Sequence, residues 1–320
     1  MALLEVKNLQ AYFFTLKGTV KAVDGVSFAV EKGQAFGLAG ESGCGKTTAA
    51  LSVLRLLPPP GRLVGGNIVF DGRDLTEISD DEMRNYRCKR MSIIFQGAMN
   101  ALNPVIKTGQ QVSEPILLHE GASESEARER AEGLLELVGV DGSRYDSYPH
   151  ELSGGMRQRS MIAMALACNP DLVIADEPAT ALDVIVQAQV LKLIKDLQER
   201  LKLSMILITH DLSIIAETCD QIAIMYAGKI AEYCDAVSLF RNPLHPYTRL
   251  LLAAFPSVRL HSARLSSIPG DPPSLIHPPS GCRFHPRCPH VKYAACSTEE
   301  PRLHEVATAH YAACHFAGEI

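Results

Sequence analysis

The sequence lacks any apolar run approaching the roughly 18 residues a membrane-spanning helix needs. Its longest apolar stretches, near residues 161–168 and 250–255, are the size of core segments. Residues 1–9 already carry Glu5 and Lys7 and show no basic start followed by an apolar stretch. No signal peptide is therefore expected. The chain is expected to stay in the cytoplasm and to meet a membrane only through a partner or a surface. Positive charge is also not in excess: 31 Lys and Arg stand against 36 Asp and Glu, a net charge of −5. A global nucleic-acid footprint is thus absent, and no nucleic-acid partner is expected. Internal repeats and low-complexity tracts are missing as well. What remains is ordinary globular material, 320 residues with 47% hydrophobic and 21% charged. That is enough for about two domains with real cores.

Cysteine is present in an odd number, nine. Cys44, Cys88, Cys168, Cys219 and Cys234 are scattered and read as structural thiols, while Cys282, Cys288, Cys296 and Cys314 crowd the C-terminus. A reducing cytoplasm argues against a disulfide framework for that cluster. Its spacing, C-x5-C-x7-C-x17-C, lacks the short C-x2-C pairs of common zinc sites. Zinc, an iron–sulfur cluster and free thiols all stay open on the residues alone.

Alternating residues at 3–8 and 23–30 predict strands of an antiparallel layer. The apolar run at 34–39 predicts a buried strand feeding a glycine loop, followed by a helix over 48–57 that Pro58, Pro59 and Pro60 stop. Residues 67–70, 91–95, 172–175 and 205–209 predict further strands. Helices are predicted over 123–140, with Ser123 and Glu126 as a capping box, and over 153–167 and 184–201. Residues 221–226 and 229–233 predict a hairpin around Ala227-Gly228. Eleven of the 19 prolines fall between Pro243 and Pro301. A boundary is therefore placed near residue 240, beyond which the chain is expected to be loop-rich.

Gly40-Glu41-Ser42-Gly43-Cys44-Gly45-Lys46-Thr47 fits G-x-x-x-x-G-K-[ST] between a predicted strand and a predicted helix. Glycines let main-chain N–H groups turn inward around phosphate oxygens, and the helix adds its positive N-terminus. Lys46 would reach the β- and γ-phosphates, and the Thr47 hydroxyl would ligate Mg²⁺. Residues 172–175 form an apolar strand that ends in Asp176 and Glu177. At the carboxyl end of a parallel strand, Asp176 would hold Mg²⁺ and Glu177 would act as general base. Leu152-Ser153-Gly154-Gly155-Met156-Arg157-Gln158-Arg159 opens a helix with a serine and two glycines, a second anion-binding arrangement or simply an N-cap.

Together these segments resemble the ATP-binding subunits of ABC transporters, the signature motif falling on residues 152–159. Gln96 resembles the Q-loop glutamine, Ala181-Leu182-Asp183 the D-loop and His210 the H-loop histidine. The resemblance implies an α/β fold with a P-loop NTPase ABC core: a mixed sheet, an antiparallel β layer and a helical subdomain at about 97–168. This core would occupy residues 1–240, and a small Cys-rich extension residues 241–320. It implies ATP and Mg²⁺ as ligands, with residues 40–47 and Thr48 around the phosphates and Thr47, Gln96 and Asp176 around Mg²⁺. Glu177, His210 and Gln96 are implied as catalytic. An aromatic, Phe13 or Tyr12, would stack on adenine. Ser153, Gly154 and Gly155 would touch the ATP of a second ABC ATPase subunit, identical or related, and Asp183 would work across that interface.

The segments Asn242-Pro243-Leu244-His245-Pro246-Tyr247-Thr248 and Gly281-Cys282-Arg283-Phe284-His285-Pro286-Arg287-Cys288-Pro289 resemble the C-terminal extension of dipeptide and oligopeptide importer ATPases. Tyr148-Pro149-His150-Glu151 is similar to that subgroup too. The resemblance implies a [4Fe–4S] cluster on Cys282, Cys288, Cys296 and Cys314. It also implies two membrane permease subunits, an extracytoplasmic peptide-binding protein acting indirectly, and a peripheral position on the cytoplasmic face of the cell membrane. Cargo stays open between peptides and nickel, glycosides or antimicrobial peptides. A soluble ABC ATPase working on DNA or ribosomes is the competing class. Against it, no long coiled coil separates loop from signature, and only one ATPase unit is present.

Overall fold

Alternation at both ends of the first 31 residues produces two long strands, β1 (Ala2–Thr15) and β2 (Gly18–Glu31). The computed structural model describes residues 2–97, 101–180, 182–254, 268–291 and 294–319. With β4 (Gly61–Phe70) and β5 (Arg73–Asp74) these strands form a four-stranded sheet in the order β2-β1-β4-β5. β1 and β4 run antiparallel, in the layer expected from the alternation, with Tyr12 opposite Arg62 and Phe13 opposite Gly61. The chain divides into two units, each discontinuous in sequence: one holds Val30–Ala35 and Glu77–Leu207, the other Ala2–Ala29, Phe36–Thr76 and Ile208–Ile320.

The second of these contains the antiparallel layer and the glycine loop. Its β3 (Ala35–Ala39) is buried along its whole length and pairs in parallel with β9 (Gln221–Tyr226). A strand buried on both faces reads as an unbroken apolar run. β9 turns through Ala227 and Gly228, both at positive φ, into β10 (Lys229–Asp235), the hairpin predicted there. Two C-terminal strands, β11 (His304–Ala307) and β12 (His310–Ala312), continue the sheet, β12 pairing with β10. The region beyond residue 240 is thus more regular than its prolines suggest. It also contains the helix Pro246–Ala253, with Pro246 at the first turn, where no main-chain N–H is needed.

The other unit contains β6 (Met91–Ile94) and β7 (Leu172–Asp176), paired in parallel, together with β8 (Ser204–Ile208). The helix Glu124–Leu137 begins with the expected box: the Ser123 Oγ accepts from the Glu126 N–H, and the Glu126 carboxylate accepts from the Ser123 N–H. The helix Thr108–Glu120 was not predicted individually, because Gly109 and Pro115 interrupt its pattern. Packing imposes it: a Cβ on Gly109 would lie 2.1 Å from the Tyr145 ring.

β1 and β2 run well beyond the expected 3–8 and 23–30, and the helix after the glycine loop ends earlier than expected. The helix after the glycine loop runs Lys46–Val53 and ends before the prolines. Arg55 adopts a left-handed φ of 52°, and the Leu56 N–H turns back to the Leu51 carbonyl at 2.8 Å. A left-handed residue ends a helix without help from proline. Among the described residues no helix is long and apolar enough to cross a membrane.

Candidate functional site

The glycine loop requires its glycines for steric reasons. Gly40, Gly43 and Gly45 all take positive φ. A Cβ on Gly40 would lie 2.2 Å from the Met225 carbonyl oxygen, and one on Gly45 would lie 2.1 Å from that of Ala22. Lys46 follows as the first helical residue, only 6% exposed. Its Nζ donates to the carbonyls of Gly40 at 2.8 Å and Glu41 at 3.1 Å. The ammonium is therefore drawn back across the loop rather than released to solvent. Cys44 is buried beneath, and burial pushes its thiol pKa up. Ser42, Gly43 and Thr47 are exposed, while Glu41, Gly45 and Thr48 are half-buried.

In the same unit Tyr12 and Phe13 are both half-buried on β1. The Tyr12 hydroxyl donates to the Asp24 carboxylate at 2.6 Å. Burial and this bond push its pKa up to about 12. The Phe13 ring lies over Gly61, where a Cβ would approach Cε1 to 2.7 Å. Asp24 also accepts from Arg283. Burial alone would raise the Asp24 carboxyl, but Tyr12, Lys229 and Arg283 outweigh it and hold the group below the usual carboxylate range. His210 is exposed, just before the helix Leu212–Thr218 that Asp211 caps.

The other unit brings together a different set. β7 delivers Asp176 buried at its last position. Glu177 then takes a left-handed φ of 43°, a conformation unfavourable for a side chain of its size. Such residues concentrate where function dictates a direction. Its Oε2 accepts from the Gln96 amide at 3.0 Å and from the Thr180 hydroxyl at 2.9 Å. Gln96, read from sequence as a Mg²⁺ sensor, is thus a partner of the general-base candidate. Nothing in the sequence context of Thr180 distinguishes it.

Ser153 caps the helix Gly154–Ala165, its Oγ accepting from the Met156 N–H at 3.3 Å. A Cβ on Gly155 would lie 2.7 Å from the Val186 side chain, whereas Gly154 meets only Leu182, at 3.5 Å. Asp183 caps the helix Val184–Leu201 through the Val186 N–H at 3.0 Å. Ala181, the first residue of that motif, lies outside the described residues, as does Phe255 at the end of one apolar stretch named above. The two residues that follow Asp183, Val184 and Ile185, are 82% and 72% exposed.

The four C-terminal cysteines line one cavity, with His245, Phe284, His290 and Phe316 among its other walls. Burial pushes the Cys282 thiol up to about 12 and raises Cys288 and Cys314 as well. Such thiols ionise where a bound cation compensates the charge. Among the described residues the tight cluster of ligand-type atoms, within 4.8 Å of one another, is elsewhere: Glu232, Cys234 and His310. Its carboxylate is already engaged by the N–H groups of Leu244 and His245, each at 2.8 Å, and by His310 Nε2 at 2.7 Å. It works as a buried staple for the C-terminal segment.

Three residues near this cavity were missed. Arg287 makes a two-pronged bond to the Glu41 carboxylate, at 2.7 and 3.0 Å. The Tyr247 hydroxyl accepts from the Glu41 main-chain N–H at 2.9 Å. Arg283 joins Asp24 to the Ala227 carbonyl. The sequence marked them only as members of the segments 242–248 and 281–289, with the two arginines beside Cys282 and Cys288.

The family model described as "ABC transporter" matches residues 23–180, and that described as "Oligopeptide/dipeptide transporter, C-terminal region" matches residues 231–296. A dipeptide transport ATP-binding protein of Bacillus subtilis is 49% identical over 89% of this chain and 86% of its own length. One of Escherichia coli is 44% identical over 99% and 97%. The dimeric structure of MJ0796, a bacterial ABC transporter cassette, superposes with a TM-score of 0.66 at 27% identity, covering 73% of this chain and 98% of that one. The chain belongs to the family of ATP-binding subunits of dipeptide and oligopeptide ABC transporters.

Proposed function

We propose that this chain hydrolyses ATP to power uptake of di- and oligopeptides across the cytoplasmic membrane through two separate permease subunits. The observation that carries the reading is Glu177. An acid at the end of a fully buried strand is held at left-handed φ, with its carboxylate oriented by Gln96 and Thr180. An oriented carboxylate is what a general base needs to take a proton from an attacking water. Lys46 and the amides of residues 40–48 offset the charge of the transferring phosphoryl group, and His210 supports its γ end. Thr47, Asp176 and Gln96 are the residues that would hold Mg²⁺, which would supply positive charge to offset that of the phosphates. Tyr12 or Phe13 provides the surface for adenine.

Turnover is assigned to a pair of ATPase subunits. Ser153, Gly154 and Gly155 face the nucleotide of the second subunit, and Asp183 works at the shared surface. The dimeric state of the related cassette and the exposure of Val184 and Ile185 support this. ATP favours the closed pair because it binds that state better, and hydrolysis releases it. Exposed Phe95, Val105, Ile106, Leu117 and Leu118 support docking of the permeases on this unit. The chain would then sit peripherally on the cytoplasmic face and serve an extracytoplasmic binding protein indirectly. The peptide cargo rests on the match of the C-terminal region. Removing the chain from cells should abolish energised uptake of a labelled dipeptide, with recovery when the intact chain is returned. Unchanged dipeptide uptake accompanied by lost nickel accumulation would reassign the cargo.

The same reading places a [4Fe–4S] cluster on Cys282, Cys288, Cys296 and Cys314, and the four thiols lining one cavity support it. Anaerobically purified protein is expected to contain iron and acid-labile sulfide in about equal amounts. It should lose both on Cys296→Ser. Zinc without iron would overturn the assignment.

A further inference from the structure

We propose that Arg287 and Tyr247 are positioning residues for ATP: they hold the phosphate loop in its nucleotide-receiving shape by gripping Glu41. The inference rests on the reading of residues 40–47 as the phosphate site. It goes beyond that reading by assigning a nucleotide-affinity role to the C-terminal segment.

Every polar group of Glu41 is committed. Its main-chain N–H goes to the Tyr247 hydroxyl at 2.9 Å, its carbonyl accepts from Lys46 Nζ at 3.1 Å, and its carboxylate meets the two Arg287 η-nitrogens at 2.7 and 3.0 Å. Paired bonds of this kind fix orientation as well as distance. The grip is not a surface ion pair, since the Arg287 side chain is 5% exposed. Its Nε donates to the Pro269 carbonyl at 2.8 Å and Nη1 to the Tyr226 hydroxyl at 3.3 Å. The guanidinium is therefore set before it reaches the loop. Tyr247 is equally fixed, its ring packed 4.6 Å from Tyr226 and 5.3 Å from Phe284 between centroids.

The loop needs such support because it supplies little itself. Three of its residues are glycines at positive φ, and glycine leaves a chain the widest choice of conformations. Apparent affinity falls in proportion to the fraction of molecules in the binding-competent shape. Glu41 is also the residue whose carbonyl receives Lys46 at 3.1 Å, so releasing it loosens one of the two carbonyl anchors of the lysine and leaves the Gly40 carbonyl as the other.

The test is titration of the full-length chain with a fluorescent ATP analogue and Mg²⁺, with ATPase kinetics measured alongside the second subunit. Arg287→Met should weaken binding about tenfold or more, Glu41→Gln by a similar factor, and the double variant no further, since both remove one interaction. Arg287→Lys keeps the charge without the fork and should fall between. Tyr247→Phe, which removes only a hydroxyl and keeps the packing, should weaken binding about threefold or more. For the Arg287 and Tyr247 variants, KM for ATP should rise while kcat at saturation stays within about twofold, the pattern of lost binding rather than lost chemistry. If Arg287→Met fails to fold, Tyr247→Phe decides alone. Parental binding with either folded variant within about twofold of it, or additive losses in the double variant, overturns the grip. A parental chain that binds no analogue removes the reading of the loop instead.

Discussion

Glu177→Gln should lower ATP turnover about 100-fold or more while leaving affinity for Mg-ATP nearly unchanged, because general-base catalysis typically contributes a factor of that size. The change removes a proton acceptor and almost no volume. The amide can still accept from Thr180 and meet Gln96, the two groups that fix the carboxylate at 2.9 and 3.0 Å. Strain at φ 43° is the same for both side chains, so the fold should be unaffected. Hydrolysis blocked after binding should also trap the closed pair of subunits. Single-turnover kinetics and gel filtration with and without ATP measure both effects. Turnover at the parental rate would show that Glu177 is not the base.

The second large effect is expected in the glycine loop, where geometry ranks the positions. Gly45→Ala places a Cβ 2.1 Å from the Ala22 carbonyl oxygen at a φ of 109°. The obstacle is main chain, so no rotamer change relieves it. Together with the unfavourable backbone angle this should cost about 3 kcal/mol or more, enough to weaken nucleotide binding over about 100-fold. Gly43→Ala is the internal control. Its added Cβ meets nothing within 4 Å, and only the φ of 78° opposes it. Its cost should be nearer 1 kcal/mol, or roughly a fivefold loss. Titration with an ATP analogue and thermal melting of both variants compare them. Equal behaviour of the two, or parental binding by Gly45→Ala, would mean that the loop's glycines are not set by close backbone approach.

Arg287, Tyr247 and Glu232 show how much of the C-terminal segment is concerned with support. Burial alone would push the Glu232 carboxyl up, but His310 and the Leu244 and His245 N–H groups outweigh it and hold it below the usual range. His245 moves the same way for the simpler reason of burial, its pKa depressed to about 4. A neutral imidazole there accepts the Tyr247 N–H at 3.0 Å through Nδ1 and caps the helix that carries Tyr247. The His-Pro-Tyr segment thus has a structural meaning: histidine caps, proline starts the helix and tyrosine reaches Glu41.

The elements legible in the sequence were those whose evidence is local. Residues 40–47 declare a phosphate loop because positive φ and close backbone approach admit only glycine at fixed spacing. The run before Asp176 declares a buried parallel strand because both of its faces are covered, and Ser123 with Glu126 declares a helix start because the box closes over three residues. Long-range packing decided the remainder. The helix Thr108–Glu120 carries Gly109 and Pro115 against its own propensity, and Tyr145 lying on Gly109 explains the glycine. Gln96 meets Glu177 across 81 residues, and Arg287 meets Glu41 across 246. No periodicity or spacing encodes such partners. Chemistry that depends on the main chain of a short segment was written in the sequence itself, whereas the aiming of each side chain depended on residues that only the fold brings near.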